Sequence, residues 1–388
     1  GSPKTLTLLV DFPDQRASQR FPQMTPSAIF DNIYGDGTEI AKQFAPFESL
    51  AAYYKRASEG KLTLRGNVLG FYTFPNNQLT YAPLGAEGDN QILFDMISEA
   101  LRSFDDNHDF SQYDNNGDGF IDGLNILYSG QRGGWSSFWW AYQWRFYVSD
   151  ALTTFFDGKR LGTFTWQSLD PRADGTDFDP QTLIHETGHL LGLPDLYDYK
   201  KNSGLEGGVG GYDVMDGNVG NPNAFLRWML DWIEPEIVSG GASESRVLRA
   251  SGDTSNADDK AVVIFPDIGQ SPFQEFFLIE NRFRIGNDGG DSNLPSDGLA
   301  IWHVDATLDS SGGDFAFSNT DRGGATTHKL VKLVQADGQE DIEQFGGGRV
   351  DAGDLYRSGG FLTPSSNPSS VGYDGNATGI RVENISND

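Results

Sequence analysis

Apolar residues crowd the start of the chain, where positions 4–12 read Lys-Thr-Leu-Thr-Leu-Leu-Val-Asp-Phe. A run so dense in aliphatics predicts a strand central in a sheet. From about position 47 to 58 the spacing turns helical, with Gly60 as its stop, and alternation returns at Leu62, Leu64, Val68 and Phe71. A second helix is expected from about 89 to 101, carrying Leu93, Met96, Ile97, Ala100 and Leu101 on one face. Positions 124–128 and 161–166 are the next strands, the latter leading through an acidic loop into a third helix. Beyond about Ile237 the helical period vanishes. Gly, Ser, Asn and Asp turns then separate short apolar runs at 261–265, 275–279, 299–304 and 330–334. The pattern is α+β: an alternating α/β domain over residues 1–237, followed by an all-β, sandwich-like domain over 238–388.

Composition agrees with two domains in 388 residues, and 48 Gly with 17 Pro suit a loop-rich, strand-rich protein. Lys and Arg number 28 against 55 Asp and Glu, a formal charge of -27. Nucleic acid and anionic membranes are therefore poor partners, and cations are good ones. The absence of cysteine excludes thiolate zinc sites, cysteine nucleophiles and disulfides. Stability outside the cell would then rest on bound calcium and on core packing. No segment approaches 18 uninterrupted apolar residues, so no membrane span is expected. Gly1-Ser2 reads as a scar left by cleavage, with any signal or pro-segment upstream of it.

Residues 185–195 read His-Glu-Thr-Gly-His-Leu-Leu-Gly-Leu-Pro-Asp. His185 and His189 stand four apart on one helix face, so both imidazoles can reach one zinc ion, and Glu186 lies one residue round, where it can act as general base on a water. Asp179-Pro180 fits an N-cap followed by proline at the first helical position, and Gly192 fits the left-handed stop. A helix stopped at Gly192 lets the chain fold back and offer Asp195 as third ligand, which leaves the fourth tetrahedral position open for catalysis. With 5 His in the chain, chance rarely assembles this run. Burying two histidines and a glutamate among Leu183, Ile184, Leu190 and Leu191 without a metal would be costly. A third ligand from a later glutamate-bearing helix is disfavoured, because no Glu-rich helix follows Gly192.

Residues 114–122, Asp-Asn-Asn-Gly-Asp-Gly-Phe-Ile-Asp, have the spacing of a calcium loop. Asp114, Asn116, Asp118 and Asp122 supply side-chain oxygens, Phe120 a carbonyl, and Gly119 the sharp turn. Position 12 is Asn125 instead of the bidentate glutamate, and a strand follows, so this is an EF-like loop outside an EF-hand domain. A solvated Asn/Asp/Gly turn is its bland alternative. Trp135, Trp139, Trp140 and Trp144 either line a cleft or pack in the core. His303 and Asp305 share a strand face, where ordinary hydrogen bonding outweighs a metal site; Asp351 and Asp354, near Gly346 to Gly348, are weak candidates for a second calcium. His108 and His328 have no assignable partners.

These motifs together resemble the M6 metallopeptidases, typified by the immune inhibitor A proteases, within the metzincin clan. The resemblance runs from Leu-Leu-Val-Asp-Phe-Pro-Asp14 through Tyr53-Tyr-Lys-Arg-Ala-Ser-Glu-Gly-Lys-Leu62, the Asp/Asn loop and the zinc run to Asp198. It continues through Gly211-Tyr-Asp-Val-Met215, residues 228–235, Phe277-Leu-Ile-Glu-Asn-Arg282 and Asp297-Gly-Leu-Ala-Ile-Trp-His-Val-Asp305. It implies a metzincin-like catalytic domain and a secreted zinc endopeptidase acting on proteins or peptides, with Met215 as the Met-turn beneath the metal. Many relatives have histidine where Asp195 stands, so Asp195 is the expected third ligand, with Asp198 as the alternative. The stretch 135–144 departs from the histidine-containing form of the family. Tyr212 or Tyr197 is expected near the oxyanion, a choice the sequence leaves open. The rival reading is a calcium-stabilised surface or adhesion module with a decayed site, yet every zinc ligand position and the base are intact. The expected cofactors are Zn2+ and Ca2+, and the chain is expected to be monomeric.

Overall fold

Strand β1 (Lys4–Asp11) buries every residue after Lys4, as its aliphatic run requires. The computed structural model describes residues 1–36, 48–173, 175, 177–199, 207–255, 259–266, 271–289, 294–320, 328–343 and 349–386. Among them the chain divides into two compact units, one of residues 1–55 with 60–193, the other of residues 56–59 with 194–388. The expected boundary at 237/238 falls inside the second unit. The architecture is mixed α and β, consistent with α+β. No helix of the described residues is long and apolar enough to cross a membrane.

In the first unit β1 is followed by helices α1 (Pro26–Tyr34) and α2 (Leu50–Ala57) and strand β2 (Arg65–Thr73). Position 47, the expected start of α2, lies outside the described residues; Leu62 and Leu64 precede β2 as buried chain. Helix α3 (Asn90–Arg102) starts where Asp89 accepts the backbone N–H groups of Gln91 and Ile92. There follow β3 (Phe120–Ile121), β4 (Leu124–Tyr128), β5 (Tyr142–Arg145), β6 (Arg160–Leu161), β7 (Thr163–Ser168) and helix α4 (Gln181–Leu190). The main sheet has the order β2-β1-β4-β7-β5. Its first four strands are parallel and β5 closes the edge antiparallel. Leu6, Leu8 and Val10, then Leu124, Ile126 and Tyr128, then Phe164 and Trp166 recur at the strand period of two and bury one face with the apolar stripe of α3. Each such side chain contributes about 1.5–3 kcal/mol on burial. Trp139 fills this core, its ring 5.5 Å from Phe12, 5.1 Å from Tyr128 and 5.6 Å from Trp166, while Trp144 on β5 is 54% exposed. The tryptophan stretch thus serves both core and surface.

The second unit carries helices α5 (Val214–Gly217) and α6 (Ala224–Met229), then strands β8 (Glu236–Val238), β9 (Ala261–Ile264), β10 (Glu275–Arg282), β11 (Gly298–Asp305) and β12 (Val331–Leu333). These strands form one sheet in the order β12-β11-β10-β9-β8, antiparallel except for β8 against β9. Helix α6 packs on β10, with Phe225 and Trp228 about the Phe276 ring. Phe277, Ile279 and Ile301 bury the opposite face beneath Tyr356, Leu362, Ile380 and Ile385. That covering layer is irregular chain joined by isolated bridges such as Leu362 with Val382 and Val371 with Ala377.

Buried charge ties this unit together. The fully buried Arg282 forks onto Asp288, Nη2 to Oδ1 at 2.6 Å and Nε to Oδ2 at 2.9 Å, and also reaches Glu280 at 3.3 Å. Glu280 accepts the Trp302 indole N–H at 2.8 Å, and Asp288 accepts the Asn221 N–H at 2.8 Å. Removing one partner of such a network leaves uncompensated charge in low dielectric. Arg282→Met is expected to cost about 3–5 kcal/mol in urea unfolding, far more than a surface Arg→Met control, and equal losses would show the network to be energetically idle.

Candidate metal centre

Helix α4 begins one position later than expected, with Pro180 and not Asp179 at the N-cap. Asp179 Oδ1 accepts the Gln181 N–H at 3.0 Å beside Pro180, and at the far end Gly192 adopts φ +95, a region that penalises any side chain. Because the helix stops there, the N–H groups of Gly192 and Leu193 turn back onto the carbonyls of His189 and Gly188. The Leu193 carbonyl then lies 2.8 Å from His189 Nδ1. A carbonyl only accepts, so Nδ1 carries the proton and Nε2 keeps its lone pair for a metal. The His185 and His189 rings sit 4.9 Å apart at 85°, and His185 and Glu186 are both buried at 5% exposure.

Along the continuous run 185–195, His185, His189 and Asp195 each present a ligand atom within 4.8 Å of the other two. Two imidazoles and one carboxylate are the donor set of a catalytic zinc site with three protein ligands, so these residues fit zinc. The Tyr199 hydroxyl donates to Asp195 Oδ2 and orients that carboxylate. Sequence reasoning missed Tyr199, although its spacing of four from Asp195 was available. Asp198, the alternative ligand, is not in the group.

Met215 is fully buried, and its carbonyl accepts the N–H of Leu196, the residue after Asp195, at 2.9 Å. Two carboxylates, Asp213 fully buried and Asp216 half-buried, shape this turn. Asp213 Oδ1 accepts the Met215 N–H at 2.8 Å, and Asp216 Oδ2 accepts those of Val209 and Gly211, each at 2.8 Å. Tyr212, by contrast, is only 2% exposed, with its ring 4.6 Å beneath the Arg282 guanidinium. Tyr197 stands at intermediate exposure with its ring 5.3 Å from that of Tyr199. A further tyrosine, Tyr142 on β5, has a buried hydroxyl without a hydrogen bond; burial first, and then the Glu186 charge, push its phenol above the ordinary range.

Other singled-out residues lie elsewhere. His303 bonds Glu275 at 2.6 Å, not Asp305, which instead bonds His328 at 2.7 Å. His108 Nε2 lies 2.7 Å from the Tyr113 hydroxyl. Asp351 and Asp354 join Asp337 in a second group of close carboxylates, while Gly346 to Gly348 lie outside the described residues. Among the described residues loop 114–122 belongs to neither group.

A family model described as the catalytic domain of immune inhibitor A peptidase M6 matches residues 2–221, more than half of the chain. The chain belongs to the M6 peptidase family. Pre-pro-metalloprotease PrtV of Vibrio cholerae serotype O1 (strain M66-2) is 25% identical over 276 residues, 60% of this chain and 30% of that protein. Immune inhibitor A of Bacillus thuringiensis subsp. alesti is 28% identical over 234 residues, 50% of this chain and 33% of that protein. The chain therefore spans about a third of the length of these relatives.

The carboxylates of the Met215 turn predict a pH dependence. Burial raises Asp216 to about 7 and Asp213 to about 6, against backbone donors that oppose the rise. A carboxyl with a raised folded-state pKa binds more protons folded than unfolded, so stability falls as pH climbs from roughly 4 and the loss is complete above the folded value. The melting temperature is expected to drop between about pH 5 and pH 8, and Asp216→Asn to flatten that slope. A slope unchanged by the substitution would mean that Asp216 stays ionised throughout.

Proposed function

We propose that the chain is a secreted zinc-dependent endopeptidase that hydrolyses peptide bonds of proteins. The observation that carries this reading is the convergence of His185, His189 and Asp195, with Glu186 set between the two histidines on the same helix. His185, His189 and Asp195 would hold a zinc ion, which would supply Lewis acidity for the peptide carbonyl and the attacking water. Glu186 takes the proton of the attacking water and delivers it to the leaving amine nitrogen. His189 is held in the metal-binding tautomer by the Leu193 carbonyl, and Asp195 is oriented by Tyr199. Met215 forms an apolar floor next to the segment that carries Asp195. Of the two tyrosines expected at the oxyanion, Tyr197 is the candidate, because Tyr212 is sealed under Arg282.

The family match ends at residue 221, beyond the first compact unit, so the metzincin-like catalytic domain is taken to run through the Met215 turn to about residue 237. Residues 238–388 then form a sandwich-like support, with the sheet as one layer and irregular chain as the other. The metalloprotease named among the relatives agrees with this activity.

Glu186→Gln is expected to retain zinc and fold while kcat/KM on casein falls by about 10² or more, since the amide is nearly isosteric but takes up no proton. Near-normal turnover in a zinc-loaded mutant would remove Glu186 as the base. Asp195→Ala should lose zinc, measured by mass spectrometry, while Asp198→Ala keeps it. Equal retention would place the third ligand elsewhere.

A further inference from the structure

The spacing of loop 114–122 suits calcium, yet its geometry presents a different cation. The Lys159 ammonium lies 2.7 Å from Asp114 Oδ2, and the Asp114 side chain is 2% exposed. That oxygen also accepts the Gly119 N–H at 3.1 Å, while Oδ1 accepts the Gly117 N–H at 2.8 Å. Other oxygens of the loop accept hydrogen bonds as well. Asn116 Oδ1 accepts the Asp118 N–H at 2.8 Å, which turns its Nδ2, a donor that ligates no cation, towards Asp118 Oδ2 at 3.1 Å. Asp118 Oδ1 accepts the Phe120 N–H, and Asp122 Oδ2 that of Asn115. Calcium requires six to eight converging oxygens, and the carboxylates of this loop do not converge within 4.8 Å. The residues as arranged do not fit the ion.

Lys159 is delivered by rigid chain. Phe156 and Lys159 exchange two backbone hydrogen bonds, at 2.8 and 2.9 Å, around an Asp157-Gly158 turn with φ +49 and +79, the tight form that Asp-Gly favours. Asp157 is pinned by the Phe110 N–H at 2.7 Å. Strand β6 then pairs with β3, and the Arg160 N–H reaches the Gly119 carbonyl at 3.0 Å inside the loop itself. The ammonium is thus positioned by the same ladder that positions the loop.

We propose that Lys159 is the resident cation of loop 114–122, so that the loop keeps its shape without calcium and becomes a calcium site only when the ammonium is removed. The ion pair does for Asp114 what calcium does in loops of this spacing: it offsets carboxylates that would otherwise repel one another. Consistently, Lys159 is the main influence holding the Asp114 carboxyl below its ordinary range. Calcium would have to expel the Lys159 ammonium from Asp114 to enter.

The test uses the full chain with zinc held constant, comparing melting temperature and calcium stoichiometry by equilibrium dialysis, with and without calcium on the order of 1 mM, where extracellular calcium modules fill. Wild type and Asp118→Ala are expected to bind the same number of calcium ions, because no ion sits in this loop. Lys159→Met should melt lower without calcium and recover with it, taking up one more calcium than wild type, and adding Asp118→Ala should abolish that extra ion. Lys159→Arg keeps the ion pair and should behave as wild type. If Lys159→Met fails to fold without calcium but folds with it, the proposal holds. One calcium lost from wild type on Asp118→Ala, or a folded Lys159→Met that gains no calcium, would overturn it.

Discussion

The reversal at Gly192 is the constraint on which the candidate metal centre depends. Had α4 continued, Asp195 would stand about 9 Å further along the axis than His189, at 1.5 Å per residue, beyond any shared ligand sphere. The left-handed glycine converts that rise into a return. The same turn brings the Leu193 carbonyl to His189 Nδ1, so one backbone event both returns Asp195 towards the helix end and sets the tautomer of His189. The Leu196 N–H then anchors on the Met215 carbonyl, and Tyr199 on the Asp195 carboxylate. Each link is short and local, which suits a site whose atoms must be held to a fraction of an ångström.

Charge is the second organising force. An excess of acidic residues, with no cysteine to staple the fold, leaves the interior to manage carboxylates by other means. The second unit uses two. Guanidinium groups serve some of them, Arg282 holding Asp288 and Glu280, and Arg227 holding Glu59 while it donates to the Ala57 carbonyl at 2.9 Å. Backbone N–H groups serve the carboxylates of the Met215 turn, which hold their protons more tightly as a result of burial. Loop 114–122 adds a third solution, an ammonium supplied by the turn that precedes β6.

How far the sequence disclosed this structure depends on the range of the interaction. Strands β1, β4, β10 and β11 were legible because aliphatic density or alternation is written in consecutive residues, and α4 because both its ends carry local signals. Helix α1 was equally marked, with Thr25 accepting the Ala28 N–H and Pro26 at the first position, but its apolar stripe of Ile29 and Ile33 is too narrow to stand out. Strand β5 was hidden, since four residues of mixed polarity acquire strand character only from pairing with β7. The candidate metal centre was readable because His185, His189 and Asp195 lie within eleven residues. Lys159 was not, standing 45 residues from Asp114 with nothing in its surroundings to suggest the pair.

The histidines of the second unit show the same limit from the other side. His303 and Asp305 were correctly seen to share a face of β11, but a shared face does not decide partners. Glu275 sits opposite Asp305 across the β10 ladder and takes His303, while Asp305 takes His328. Between the two imidazoles lies the ring of Tyr373, 4.1 Å from His303 and 3.9 Å from His328, and Phe277 and Phe317 extend the stack on either side at 4.4 and 3.5 Å. Glu275 Oε1 accepts both His303 Nε2 and the Tyr373 N–H at 2.7 Å, and a Cβ at Gly372 would come within 3.2 Å of it. One carboxylate therefore clasps a strand histidine and a chain segment 98 residues away. Irregular chain has no ladder to hold it against a sheet, so it needs side-chain clasps of this kind, and those are the contacts that local periodicity leaves unmarked.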